Sequence, residues 1–347
     1  MAENKAGTPI GSLGEFGLIK RLSKNFITRQ TAHTKLGIGD DGAILSYKDE
    51  AIVVSTDLLM EGIHFDLIYT PLKHLGYKAV VVNLSDIYAM NAFPKQITFS
   101  MALSKKFSVE AVDALYEGVE QACRFYGVDL IGGDTTSSMT GMCLSVTAIG
   151  GNQEEKLVKR STAQVGDVLC VTGNLGAAYL GLQVLEREKT VFLESPGSSP
   201  QLDDYSYLVE RQLKPEARKD LIELMDKHDV IPSAMIDISD GLSSDLLHIC
   251  YESSVGAEIY EENLPVHEQA KRVGVQEFKI SPTTCALSGG EDYELLFTIK
   301  REALQKLDGL IEIKVIGKIV DKEKGVHLFS PKGEKHPITA QGWNHLT

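Results

Sequence analysis

Positive charge is scarce in this sequence. Thirty-five lysines and arginines face 48 aspartates and glutamates, a formal charge of −13, so there is no basic field to gather a nucleic-acid backbone or an anionic membrane surface. An anionic ligand would have to arrive together with metal. Long apolar runs are missing as well: none approaches the roughly 18 residues of a membrane span, and the N-terminal MAENKAGTPIGSLGEF lacks the apolar stretch of a secretory leader. The five cysteines, Cys123, Cys143, Cys170, Cys250 and Cys285, are odd in number and form no C-x-x-C pair. That pattern argues for reduced thiols and a cytoplasmic location, against a disulfide frame or a zinc site. Also absent are a Walker G-x-x-x-x-G-K-[ST], the protein-kinase H-R-D and D-F-G, H-E-x-x-H and G-x-S-x-G, which removes the commonest nucleotide, metalloprotease and serine-hydrolase frameworks.

What is present is an ordinary globular composition, 43% apolar and 24% charged over 347 residues, with room for two domains that each bury a core. Apolar periodicity predicts helices over 15–24, from Pro71 to a stop at Pro94, over 109–126 with Gly127 closing it, and over 175–188, 205–212, 217–228 and 241–253. Strands are expected over 51–55 (running into Thr56-Asp57), 96–103, 128–131, 142–149, 168–172, 234–238, 257–260, 294–299, 311–320 and 326–329. The polar run 152–156 marks the expected boundary between an N-terminal domain, 1–151, and a C-terminal domain, 152–347. Alternating strands and helices in both halves predict a two-domain α/β or α+β enzyme.

Five acidic motifs punctuate these elements: Gly39-Asp40-Asp41-Gly42, Ser55-Thr56-Asp57, Asn83-Leu84-Ser85-Asp86, Gly132-Gly133-Asp134 and Asp237-Ile238-Ser239-Asp240-Gly241. Carboxylates repel one another, so gathering them in one cleft requires hard cations, and oxygen-only ligands favour Mg²⁺. Several such ions in one site point to a polyphosphate. Gly37-x-Gly39-x-x-Gly42 matches a dinucleotide fingerprint formally, but no apolar strand precedes it and two carboxylates would face the pyrophosphate. Each motif also has a plain reading: an acidic turn at Asp40-Asp41, a helix cap at Asp240, a tight turn at Gly133, a solvated Arg160, a structural His64 and a core-sealing Trp343.

Taken in order, GIGDDGA (37–43), STDLLMEGIHF (55–65), YKAVVVNLSDIYAM (77–90), LIGGDTT (130–136), DISDGLSSDL (237–246), ALSGGEDYELLFT (286–298) and GWNH (342–345) resemble the thiamine-monophosphate kinase family over nearly the whole chain. The resemblance implies the fold shared with aminoimidazole ribonucleotide synthetase: an N-terminal α/β domain that pairs across a homodimer and a C-terminal α/β domain closing over the nucleotide. It implies ATP-dependent phosphorylation of thiamine monophosphate to thiamine diphosphate by direct in-line transfer, with several Mg²⁺ ions. Carried over by motif, Asp41, Ser55, Thr56, Asp57, Asp86, Asp134, Asp237 and Asp240 would hold magnesium. Tyr116, Gly133, Asp134, Arg160 and Ser239 would contact ATP, and His64, Glu291 and Trp343 the thiamine phosphate. Asn91 departs from the family's usual glycine after Ala-Met, which questions the tightness of that helix end. No catalytic nucleophile is expected, since the acceptor phosphate is already ionised near neutral pH. The enzymatic alternative is aminoimidazole ribonucleotide synthetase, and the non-enzymatic one a divalent-cation binder.

Overall fold

The computed structural model describes residues 34–36, 40–47, 50–195, 197 and 199–339. The helix expected over 15–24, Gly37 and Gly39 of the glycine-rich motif, and Trp343 with its GWNH neighbours lie outside the described residues.

Seven strands build the first sheet: β1 (Thr34–Leu36), β2 (Ala43–Tyr47), β3 (Glu50–Met60), β4 (Phe93–Leu103), β5 (Asp129–Gly132), β6 (Thr135–Ser137) and β7 (Cys143–Asn152). Their order is β1-β2-β3-β7-β4-β5, with β6 also paired to β4. β3 and β4 both run antiparallel to β7, while β5 and β6 run parallel to β4. The expectation that β3 stops before Thr56-Asp57 is corrected. Its pairing with β7 continues unbroken from Ala51 opposite Asn152 to Met60 opposite Cys143, so the motif lies inside a strand. Alternation then decides its chemistry. Val53, Ser55 and Leu59 are buried on one face, which Asp57 shares, and Thr56, Leu58 and Met60 are exposed on the other.

Helices α1 (Leu72–Ala89) and α2 (Val109–Tyr126) cover the first of these faces. The sequence suggested an amphipathic α1; 14 of its 18 residues are buried, because the second domain packs on the side away from the sheet. The two helices touch backbone to backbone: a Cβ on Gly76 would fall 2.0 Å from the Leu115 carbonyl oxygen, and one on Gly118 would fall 1.9 Å from that of Lys73. Pro94 does not end α1, which closes at Ala89; Pro94 sits inside β4 beside a bulge. The chain reverses at Asn91, whose φ of 53° is the left-handed conformation that asparagine tolerates best after glycine. Its side chain donates to the Lys156 carbonyl at 2.8 Å and its own carbonyl accepts from Asn152 at 2.7 Å. The helix end is therefore tight without glycine.

The second domain carries β8 (Val168–Thr172), β9 (Ala234–Asp237), β10 (Gly256–Tyr260), β11 (Leu295–Ile299), β12 (Ile313–Val320), β13 (Val326–Phe329) and β14 (Lys335–Pro337), ordered β14-β13-β10-β12-β8-β11-β9. β8, β9 and β11 are buried at every position, as their largely apolar runs require for strands covered on both faces. Around them lie α3 (Ala177–Glu194), α4 (Ser206–Leu213), α5 (Lys219–Lys227), α6 (Leu242–Ser253) and the short α7 (Glu268–Val273) and α8 (Pro282–Ser288). The core is continuous across the two halves, Val80 and Leu84 of α1 belonging to the same buried cluster as Met235 and Phe297. Polar ties reinforce it, with the Tyr77 and Tyr126 hydroxyls both donating to Glu216 Oε2 at 2.7 Å. Mixed sheets with helices in both halves make this an α/β (α+β) fold, and among the described residues no helix is long and apolar enough to cross a membrane.

Candidate active site: an acidic cluster between two domains

Three carboxylates from remote parts of the chain meet where α1 reaches the second sheet. Asp41 precedes β2, Asp86 lies in the last turn of α1 and Asp237 ends β9; one carboxylate oxygen from each lies within 4.8 Å of the others. Asp86 is doubly disfavoured there, by its neighbours and by the negative end of its own helix. Serines orient the group: Ser55 Oγ donates to Asp86 Oδ2 at 2.5 Å and, across the domain junction, Ser85 Oγ donates to Asp237 Oδ2 at 2.6 Å. Asp57 joins the same face of β3, its main-chain N–H held by Asn83 Oδ1 at 3.0 Å.

Burial dominates the electrostatics. It raises the carboxyl pKa of Asp57 and of Asp237 to about 6. Asp86 is pushed well above the usual range by burial and then by Asp57, Asp237 and Asp41. Asp41 is also pushed well up by burial, although Arg160 pulls it down. Arg160 donates to Asp41 Oδ1, and its Nε lies 3.2 Å from Asp40 Oδ1. The other oxygen of Asp41, Oδ2, is buried with no hydrogen-bond partner among the described residues. An oxygen-only donor set with an orphaned anionic oxygen suits a hard cation such as Mg²⁺ and offers a zinc or copper ion neither nitrogen nor sulfur.

Two cavities divide the remaining candidate residues. The larger, about 930 Å³, opens between the domains and is lined by Asp57, His64, Asp86, Asp237, Ser239, Asp240 and Glu291 among others. Among the described residues its walls carry seven carboxylates and one lysine, Lys189, so it suits a cationic ligand or an anion that brings metal. His64 accepts the Met60 N–H on Nδ1 at 3.0 Å. The smaller cavity, about 440 Å³, holds Tyr116, Gly133 and Asp134 beside Phe99. Gly133 is required there, because a Cβ would fall 1.8 Å from the Phe99 carbonyl oxygen.

Not every expected residue reaches the cluster. Asp134 is exposed and accepts the Thr135 N–H at 2.9 Å. In the sheet, Asp57 pairs with Val146, Val146 with Phe99, and Gly133 packs on Phe99, which separates Asp134 from Asp57 by about three strand spacings, ~14 Å. Thr56 turns its hydroxyl to the opposite face, onto the Val146 carbonyl at 3.0 Å. Arg160 is engaged by Asp40 and Asp41 and lines neither cavity. Asp240 stands one residue before the cap position of α6, which Gly241 occupies. Sequence reasoning passed over Ser85, which sits inside the Asn-Leu-Ser-Asp motif, and Asp245, the third acid of DISDGLSSDL. Asp245 is buried, its Oδ2 is unpartnered among the described residues, and burial followed by Asp240 raises its pKa well above the usual range.

Comparison with known proteins adds the following. The family models for AIR synthase related protein match this chain, the N-terminal domain over residues 39–151 and the C-terminal domain over 164–329. Thiamine-monophosphate kinase of Aquifex aeolicus is 35% identical over 334 residues, covering 96% of this chain and 98% of that protein. Its counterpart in Bacillus subtilis is 33% identical over 342 residues, covering 96% and 100%. A solved structure described as AaThiL complexed with AMPPCP and TMP superposes with a TM-score of 0.82 at 33% identity, covering 98% of this chain and 99% of that one.

Proposed function

The chain belongs to the thiamine-monophosphate kinases within the AIR synthase related family, and from that membership we infer that it transfers the γ-phosphoryl group of ATP to thiamine monophosphate, giving thiamine diphosphate. The observation that carries this reading is the convergence of Asp41, Asp86 and Asp237, from both domains, beside an acidic cavity that also holds His64 and Glu291. The acidic walls favour the acceptor's cationic ring. The oxygen-only cluster would hold magnesium ions, which when bound would neutralise the repulsion between the two phosphorylated reactants.

The chain's own residues have separate tasks. Asp41, Asp57, Asp86, Asp237 and Asp240 would hold cations, while Ser55 and Ser85 fix the rotamers of Asp86 and Asp237 and Arg160 steadies Asp41 from behind. That contact gives Arg160 an indirect role toward ATP. Thr56 serves through its main chain, since its hydroxyl faces away. Asp134, Tyr116 and Gly133 form a second nucleotide-binding surface at the smaller cavity, and Ser239 contacts ATP from the larger one. His64 meets the acceptor phosphate, and Glu291, with Trp343, its rings. The acceptor oxygen is already ionised and attacks the γ-phosphorus in line, so no residue need remove a proton. We take 1–151 and 152–347 as the two domains. The face of the first sheet that no described helix covers, where Leu58 and Met60 are exposed among the described residues, is the surface through which two copies pair as a homodimer. A cytoplasmic location is part of this proposal, supported by the free cysteines and the ATP-consuming biosynthetic reaction.

A coupled ADP-release assay across thiamine monophosphate, free thiamine and aminoimidazole precursors tests the substrate. ADP release with thiamine monophosphate alone is expected, and release only with an aminoimidazole precursor would overturn the assignment. The cluster itself predicts a pH-dependent response to metal. Asp57 and Asp237 have native pKa values raised above their unfolded ones, so the metal-free protein binds protons more tightly when folded. Its stability from these groups therefore falls as pH rises from about 4 through about 6. Mg²⁺ replaces those protons, and its increment in Tm should be small at pH 5 and grow toward pH 7.5. An increment that is flat or declining with pH would contradict cation binding at these carboxylates.

A further inference from the structure

Resting on that reading of the larger cavity, we propose that Lys78 is a positioning residue for acceptor recognition: it occupies one oxygen of Glu291 so that the other faces the cavity as a single anionic acceptor for an N–H donor on the acceptor's ring. Lys78 stands in the second turn of α1, is 3% exposed and does not line the cavity. Its Nζ donates to Glu291 Oε2 at 2.8 Å and to the Gln212 carbonyl at 3.1 Å. Gln212 Nε2 donates to the same Glu291 oxygen at 2.6 Å. Two donors thus converge on Oε2, and among the described residues no hydrogen bond reaches Oε1. Glu291 lines the cavity, with 29% of its side chain exposed.

The backbone beneath this carboxylate is tied at several points. Glu291 and Tyr293 hold φ values of 58° and 51°, left-handed conformations that side-chain-bearing residues keep only where surroundings enforce them. The enforcement is visible: Glu291 N–H donates to Ser239 O at 2.7 Å, Tyr293 N–H to Ile238 O at 2.9 Å, and Arg211 Nη2 to Asp292 O at 2.6 Å. The Asp292 carboxylate between them accepts the Gly176 N–H at the mouth of α3 at 2.7 Å. With the main chain pinned, the remaining freedom of Glu291 lies in its side-chain torsions, and Lys78 with Gln212 sets them. A lysine is costly to bury, and an apolar side chain of similar length would pack this junction at least as well. Its place is explained by a need to hold the Glu291 carboxylate turned in one direction. The ring so recognised presents an amine or ring N–H, as an aminopyrimidine does, whereas a carbonyl at that position would meet Oε1 with like polarity.

The test is steady-state kinetics of the full-length enzyme with ATP and Mg²⁺, using thiamine monophosphate and its analogue with an oxo group in place of the pyrimidine amine. Lys78→Met is expected to raise the KM for thiamine monophosphate about 10- to 100-fold with kcat and the ATP KM unchanged, and to narrow the preference over the oxo analogue. Lys78→Arg should recover part of the loss. Because Lys78 acts through Glu291, the double variant with Glu291→Gln should be no worse than Glu291→Gln alone. An unchanged acceptor KM in folded Lys78→Met, or losses that add in the double variant, would overturn the proposal. If Lys78→Met does not fold, Gln212→Met removes the second Oε2 donor; a smaller rise in acceptor KM supports the assignment and none refutes it. Wild-type enzyme inert toward thiamine monophosphate would instead sink the function proposed above, so the two failures are distinguishable.

Discussion

Asp86→Asn should lower turnover at least about 100-fold at saturating magnesium and ATP, a loss of about 3 kcal/mol of transition-state stabilisation that matches removal of an anionic metal ligand. The substitution keeps the shape of the side chain and its ability to accept from Ser55 Oγ, so the change is one of charge. The same variant should be more stable than the parent when both are free of metal at pH 7.5. Asp86 is crowded by Asp57, Asp237 and Asp41 and stands at the negative end of α1, and neutralising it relieves that repulsion. Turnover by ADP release and Tm by scanning calorimetry read the two effects separately. Near-normal turnover, or a metal-free Tm below that of the parent, would remove Asp86 from the role assigned to it.

Gly118→Ala should destabilise the protein by about 3 kcal/mol, near the upper end of overpacking costs. Helix propensity alone argues the other way, since alanine is favoured over glycine in a helix interior by about 1 kcal/mol. Packing wins because the added Cβ would lie 1.9 Å from Lys73 O and 2.8 Å from Tyr77 N, and backbone atoms cannot rotate aside. The helices must separate, which moves α1 and with it Asn83, Ser85 and Asp86. Thermal unfolding should show the loss, and the surviving folded fraction should have reduced turnover. An unchanged Tm would mean that the α1–α2 contact is not as close as described.

Legibility in the sequence followed the range of the interaction concerned. Segments with largely apolar runs, such as β8 and β11, stand within a residue of where periodicity predicts them, and the left-handed Gly127 closes α2 as expected. Errors arose where a partner decides. β3 runs five residues beyond its expected end because β7 continues beside it, and local composition carries no trace of that. The same pairing turns Thr56 away from Ser55 and Asp57. α1 looks amphipathic by spacing but is buried nearly all round by a domain that follows it in the chain. The sequence also carries no sign that Arg160 pairs with Asp40 and Asp41, or that Asp134 stands apart from Asp57, beyond β4.

By itself the sequence determined the chemical vocabulary: an acidic chain, oxygen-only motifs and no common nucleotide-binding loop, in an order that identifies a family. Only the tertiary structure decided which of those carboxylates meet and which serine, asparagine or arginine orients each of them. It alone revealed that Lys78, unremarkable in a run of apolar residues, stands behind Glu291. The reason is physical. Residue type and short-range periodicity follow from neighbours three or four positions away, whereas the meeting of Asp41, Asp86 and Asp237 depends on strand order and on α1 being clasped between two sheets, contacts formed by parts of the chain that are far apart in sequence.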